Sequence, residues 1–209
     1  ALEKELNYRF IDRKNIEQRL ITLGFPEDKL KKYDERKPGF FASLAKDRDE
    51  YLDYLQTAIL EAASEGDVIL IGRGAFSILE KVPNLVAVRF VAKTDVRMKR
   101  LQDEFDWDEK QAMQRIEESD ANRLGFHKSF FNLVNEDACH YHLTINTGMV
   151  SEADAAAIIA DLVKRQITPE KEAAGKEKID QMLMAQRVVN SLVFDHHLAI
   201  NFLRAVIEG

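Results

Sequence analysis

Residues 68–74 read VILIGRG, four apolar residues that run straight into a glycine, an arginine and a second glycine. A strand with no polar alternation has no solvent-facing side, the pattern expected where helices cover both faces of a parallel sheet. Residues 85–91 (LVAVRFV) form a second such run, and residues 143–145 a shorter third. Between the runs the apolar period changes. Tyr51, Leu55, Ala58, Ile59 and Ala62 fall at helical spacing within residues 47–65, which end at Gly66, where glycine most easily takes a left-handed cap. Alternating strands and helices predict an α/β fold, a three-layer parallel sheet with helices on both faces.

Working outward, residues 8–12 (YRFID) read as a strand and residues 13–23 as a helix. Residues 24–41, with two glycines, two prolines and many charges, read as a loop holding a short helix around Leu30. Thr94 or Asp95 is placed to cap a helix through about Phe105, and Asp106 or Asp108 another from Glu109 to about Asn122. Ser151 opens a helix to about Arg165, with Asp154 at the capping-box position. The alternation then stops. The expected division is an α/β domain over residues 1–166, a polar linker over 167–178 and an appendage over 179–209, helical to Leu192 and extended over 198–207.

The chain has 209 residues, is 45% hydrophobic and carries a formal net charge of −6. An acidic chain is a poor competitor for the counterions around nucleic acid, so no nucleic-acid partner is expected. No apolar run reaches the length of a membrane span, and residues 1–10 lack the apolar core of a signal peptide. Cys139 is the only cysteine, which excludes an internal disulfide and fits a reducing, cytoplasmic setting. The apolar face of the appendage, Ile179, Leu183, Val188 and Leu192, wants cover and leaves a homodimer open. Packing on its own domain is the alternative.

Three constellations bear on chemistry. Gly72-Arg73-Gly74 follows a strand whose carboxyl end, in an open parallel sheet, is where ligands gather; the planar fork of Arg73 suits two phosphate oxygens. Read alone, the tripeptide is equally a turn with a solvated arginine. Arg115, Asp120 and Arg123 lie in RIEESDANR, with Arg97 and Arg100 on the preceding helix. Asp120 and Arg123, three apart on a helix, share a face, so the carboxylate can orient the guanidinium. Such cations can neutralise a phosphoryl group in transfer, although exposed helices also carry ion pairs with no further role. The third constellation, residues 143–148 (LTINTG), is a strand ending in a polar turn. Cys139, His140 and His142 do not make a metal set, because strand alternation would put the cysteine on the opposite face from the histidines. Trp107 reads as a packing residue at a helix start rather than a platform for a base.

The ordered set YRFIDR, VILIGRGA, LVAVRFVAKTDVRMKRL, ESDANR and YHLTINTG resembles the cytidylate kinase-like family of P-loop kinases, over roughly residues 2–165. The resemblance implies a nucleotide kinase-like phosphotransferase that uses ATP and Mg²⁺ to phosphorylate a nucleoside monophosphate such as CMP or dCMP, or a similar small acceptor. It places Asp12 and Arg73 at the acceptor phosphate, matches Asp120 and Arg123 to the Asp-x-x-Arg near the lid, and leaves Arg97 and Arg115 to steady the transferring group. The loop Gly-x-x-x-x-Gly-Lys-Ser/Thr that would cradle a triphosphate does not occur in the sequence. This chain alone therefore reads as inactive, and a catalytically silent binding or oligomerisation module derived from a kinase is the alternative. Cytidylate kinases proper also carry an aspartate where this chain has Gly74 and an arginine-aspartate pair where it has Ile116-Glu117. Residues 178–209 resemble the opening helix and strand of a BON domain.

Overall fold

The computed structural model describes residues 1–30, 45–134, 137–196 and 203–207. Helix α1 (Leu2–Leu6) leads into strand β1 (Arg9–Ile11) and helix α2 (Arg13–Thr22), and a short helix α3 (Glu27–Leu30) follows. Helix α4 (Ala45–Ser64) enters β2 (Val68–Leu70), which passes through Gly72–Gly74 to a single turn, α5 (Ala75–Ile78). Next come β3 (Val88–Val91), α6 (Thr94–Phe105), α7 (Glu109–Phe131), β4 (Leu143–Asn146), α8 (Glu152–Gln166) and α9 (Pro169–Asn190), which runs into a π-helical turn at Ser191–Asp195.

The strands pair in parallel as two separate ladders, Ile11 opposite Leu70 in one and Val91 opposite Asn146 in the other. The parallel pairing expected is present, but the described residues do not join it into one three-layer sheet. Among the described residues no ladder joins the two pairs, and Phe10, Ile71 and Phe90 are 50%, 44% and 51% exposed, so these strands lack the double cover that such a sheet would give. The fold is mixed α/β and rich in helix.

Each pair organises its own apolar core. Around β1 and β2, Ile16 and Leu20 of α2, Tyr51, Leu55 and Ile59 of α4, Phe126 and Phe130 of α7, and Ile179 and Leu183 of α9 are all buried. Around β3 and β4, Ile145 packs with Ala155, Ile159 and Val163 of α8, and α1 adds Leu2 and Leu6.

The residues expected to form a linker are instead the first half of α9. Thr168 caps the helix by accepting from the Lys171 N–H, Pro169 occupies the first turn where its missing N–H costs nothing, and the helix continues unbroken to Asn190. Polar composition here marks an exposed helical face, not a flexible tether. Gly175 is buried within it: a Cβ at this position would lie 1.9 Å from Asn84 Oδ1, so glycine is what lets helix and loop approach. Of the apolar face expected to want a partner, Ile179 and Leu183 are covered by the chain's own core, while Val188 is 48% exposed. The extended segment expected over 198–207 falls partly outside the described residues; residues 203–207 have no regular structure. His197 and residues 31–41 of the expected loop also lie outside them.

Helix α7 is longer than its periodicity implied, continuing nine residues beyond Asn122 to Phe131. Its start is fixed by a reciprocal capping box between Asp108 and Gln111. Neither Thr94 nor Asp95 is the N-cap of α6, which is Lys93. No helix among the described residues is long and apolar enough to cross a membrane.

Candidate functional site

At the carboxyl ends of β1 and β2 the structure gives two predicted residues internal partners. Asp12 is the N-cap of α2: its Oδ1 accepts from the Asn15 N–H at 3.0 Å, and the Asn15 side chain accepts from the Asp12 N–H at 2.9 Å. Gly72, Arg73 and Gly74 all have positive φ, at 76°, 54° and 67°. Two glycines carry the turn at little cost, but Arg73 holds a left-handed backbone that L-residues rarely adopt. That turn drives its side chain inward to 2% exposure, where the guanidinium donates to Glu17 of α2 and lies 5.8 Å from the centre of the Phe126 ring. Arg73 is thus not a solvated turn arginine. Sequence reasoning missed Glu17, whose spacing from Arg13 marked only a local helical pair, present at 3.2 Å.

Across the structure, β3 and β4 end at a second cluster. Arg97, in the first turn of α6, donates from both terminal nitrogens to both Asp120 oxygens, each at 2.7 Å. Arg123 reaches the same carboxylate at 3.3 Å. The Arg97 bond, with the charges of Arg97, Arg123 and Arg89, outweighs burial and holds the Asp120 carboxyl below the usual carboxylate range. The sequence paired Asp120 with Arg123; the bidentate partner is Arg97, from the neighbouring helix. Arg89 was a visible signal, a charge inside an otherwise apolar strand, and its guanidinium lies 5.9 Å from the centre of the Tyr141 ring.

The polar turn after β4 is closed by Arg100, which donates to Thr147 Oγ1 at 3.0 Å and to the Thr147 carbonyl at 2.6 Å. Residues 138–140 are a 3₁₀ turn, not a strand, so the alternation argued for Cys139 does not apply. Among the described residues no group of three or more His, Cys, Asp or Glu side chains is placed to hold a metal ion.

Arg115 is not brought to the cluster. Five residues from Asp120 on a helix, it points about 140° away, and it lines the cleft between α6 and α7 with Glu118 and Asn122. The two clusters are joined by α7: Arg123, beside Asp120, and Phe126, against Arg73, are three residues or roughly 4.5 Å apart along its axis. One rigid helix therefore ties the positions predicted for acceptor and transferring phosphate.

A family model described as the cytidylate kinase-like family matches residues 1–149. The crystal structure of an uncharacterized protein from Eubacterium ventriosum ATCC 27560 is similar, with a TM-score of 0.62 at 22% identity, covering 78% of this chain and 88% of that one. At that identity the likeness concerns the fold alone. No curated protein matches the chain.

Proposed function

The chain belongs to the cytidylate kinase-like family, and from that premise we propose that it is a phosphate-handling domain of nucleotide kinase type, built to receive a nucleoside monophosphate such as CMP or dCMP, or a similar small phosphorylated acceptor. The observation that carries this reading is Asp120 holding Arg97 of α6 and Arg123 of α7 together where β3 and β4 end. Catalysis of phosphoryl transfer is chiefly positioning and charge neutralisation, and two guanidinium groups fixed on one carboxylate supply both. Arg73 and Asp12 stand at the neighbouring strand ends, with Glu17 occupying the Arg73 fork until an acceptor phosphate competes for it.

In the family the donor is ATP with Mg²⁺. The residues present suit phosphate oxygens, but the sequence has no glycine-rich loop for a triphosphate and the described residues offer no carboxylate cluster for the metal. No step is derived through either. The alternative is a catalytically silent module that binds another copy of itself or another protein.

A thermal-shift panel tests the proposal. A monophosphate at a hundred times its dissociation constant adds about 2.7 kcal/mol, roughly 5–10 °C for a chain of this size. CMP should give such a shift in the native chain and lose it in Arg123→Ala. If CMP, dCMP and inorganic phosphate all leave the melting temperature unchanged, the phosphate reading fails and the interaction module stands.

A further inference from the structure

A cavity of about 290 Å³ opens at the amino ends of β3 and β4, whose length, roughly 10 Å, separates it from the Arg97–Asp120–Arg123 cluster at their carboxyl ends. One wall comes from α5 and the turn after it, with Phe76, Ser77 and Glu80, and the other from the connection between α7 and β4, with His140, Tyr141 and His142. The second wall is fastened to the sheet. The His142 N–H donates to the Ala87 carbonyl at 2.8 Å, and the Ala87 N–H donates back to His142 Nδ1 at 3.0 Å, so a ring nitrogen takes the place of a strand carbonyl. An Nδ1 that accepts carries no proton, which makes this imidazole neutral, with its N–H at Nε2.

The walls meet in aromatic rings. The Phe76 ring lies 5.0 Å from Tyr141 and 6.2 Å from His140, centre to centre, with planes tilted by 40° and 41°. Ring faces carry negative charge density and draw cations, and Tyr141 shows it, with the Arg89 guanidinium 5.9 Å from its centre. Arg89 does not line the cavity. The one formal charge among the lining side chains is the exposed carboxylate of Glu80, which makes no ion pair with a described residue. A second carboxylate stands at the edge: Asp137 accepts from the N–H of Cys139, itself a lining residue, at 2.8 Å. The hydrogen bond from Asp137 and its charge push the Cys139 thiol above its ordinary value, the mark of a negative potential at this rim.

We propose that this cavity binds a small organic cation, an ammonium or quaternary ammonium group on a short apolar body, with its charge between Glu80 and the rings of Phe76 and His140. Such a ligand uses both features of the site, since aromatic faces and a carboxylate attract the same charge. An anion would meet two carboxylates, and a neutral apolar molecule would cover Glu80 without pairing it. Ser77 and the His142 Nε2–H supply hydrogen bonds for a hydroxyl or carbonyl on the same ligand. The site stands apart from the phosphate cluster and does not depend on phosphoryl transfer.

Choline is the probe, and 3,3-dimethyl-1-butanol, the same shape with carbon in place of the charged nitrogen, is the control, at constant ionic strength. Amide resonances of Ser77 and Cys139, one from each wall, are followed by two-dimensional NMR. Choline should shift both saturably, with half-saturation on the order of 1–10 mM, and the neutral isostere should not. In Glu80→Gln, an exposed change whose folding the rest of the spectrum verifies, affinity for choline should fall at least about 5-fold. No saturable shift up to about 50 mM choline, equal shifts with the isostere, or unchanged affinity in folded Glu80→Gln would each overturn the proposal.

Discussion

Arg97 and Asp120 meet fork to fork, two guanidinium nitrogens on two carboxylate oxygens, and this pair is what locks α6 against the middle of α7. Their side chains are 29% and 44% exposed, so water screens much of the attraction. Asp120→Asn should therefore cost under about 1 kcal/mol in urea denaturation. The same change releases Arg97 and Arg123 and removes a negative charge beside any bound anion, so inorganic phosphate should bind roughly 4-fold tighter by calorimetry. Unchanged phosphate affinity would make the cluster a clasp between helices and nothing more.

Arg73 predicts a different balance. Its side chain is 2% exposed and braces α2 through Glu17 and α7 through Phe126. Arg73→Ala removes a buried cation from its partner and leaves a hole, so stability should fall by about 2–4 kcal/mol with no ligand present. Glu17→Gln keeps shape and hydrogen bonding, and should cost about 1 kcal/mol. Chemical denaturation of both variants separates bracing from any role toward phosphate.

The seam between α4 and α9 carries a titratable group. Asp53 accepts from Gln186 at 3.3 Å, Gln186 donates on to Asn190 at 3.0 Å, and Asn190 donates to Thr57 at 2.9 Å. Burial, only partly offset by the Gln186 bond and reinforced by the charge of Asp49, pushes the Asp53 carboxyl up to about 6. The folded chain holds this proton more tightly than the unfolded one, so the stabilisation is complete below about pH 4 and is lost as pH rises through about 6. The chain should be more stable at pH 5 than at pH 7 by on the order of 1 kcal/mol from this group, allowing for partial solvent screening. Asp53→Asn should stabilise the protein at pH 7 and flatten that part of the profile, measured by urea midpoints across the range.

Gly175→Ala pits helix propensity against space. Alanine favours a helix interior by about 1 kcal/mol, but its Cβ would strike Asn84 at 1.9 Å. Overpacking should win, with a net loss of about 1–3 kcal/mol, and Asn84→Ala in the same chain should restore most of it. A double-mutant cycle by thermal melting gives the coupling directly.

Much of this is legible in the sequence. The apolar runs at 68–71 and 85–91 announce strands, and the caps at Asp108 and Ser151 mark helix starts, because those signals are local. What could not be read depends on partners far along the chain. Glu17 is 56 residues from Arg73, and Gln186 is 133 from Asp53, so neither pairing leaves a periodic trace. Residues 168–178 misled for another reason: proline, glycine and charges look like a linker, yet Pro169 is at a helix start and Gly175 at a close crossing, the two places where a helix uses them. Arg115 and Asp120 are neighbours in sequence, but 140° of helix separates them.

The turn at Gly74 has a consequence for how this sequence can change over time. A Cβ there would lie 2.1 Å from the ring of Phe131, on a backbone with φ of 67°. No side chain, aspartate included, enters position 74 while that ring stays where it is. The two positions are therefore sterically coupled: a side chain at 74 requires the Phe131 ring to move or to be replaced by a smaller residue.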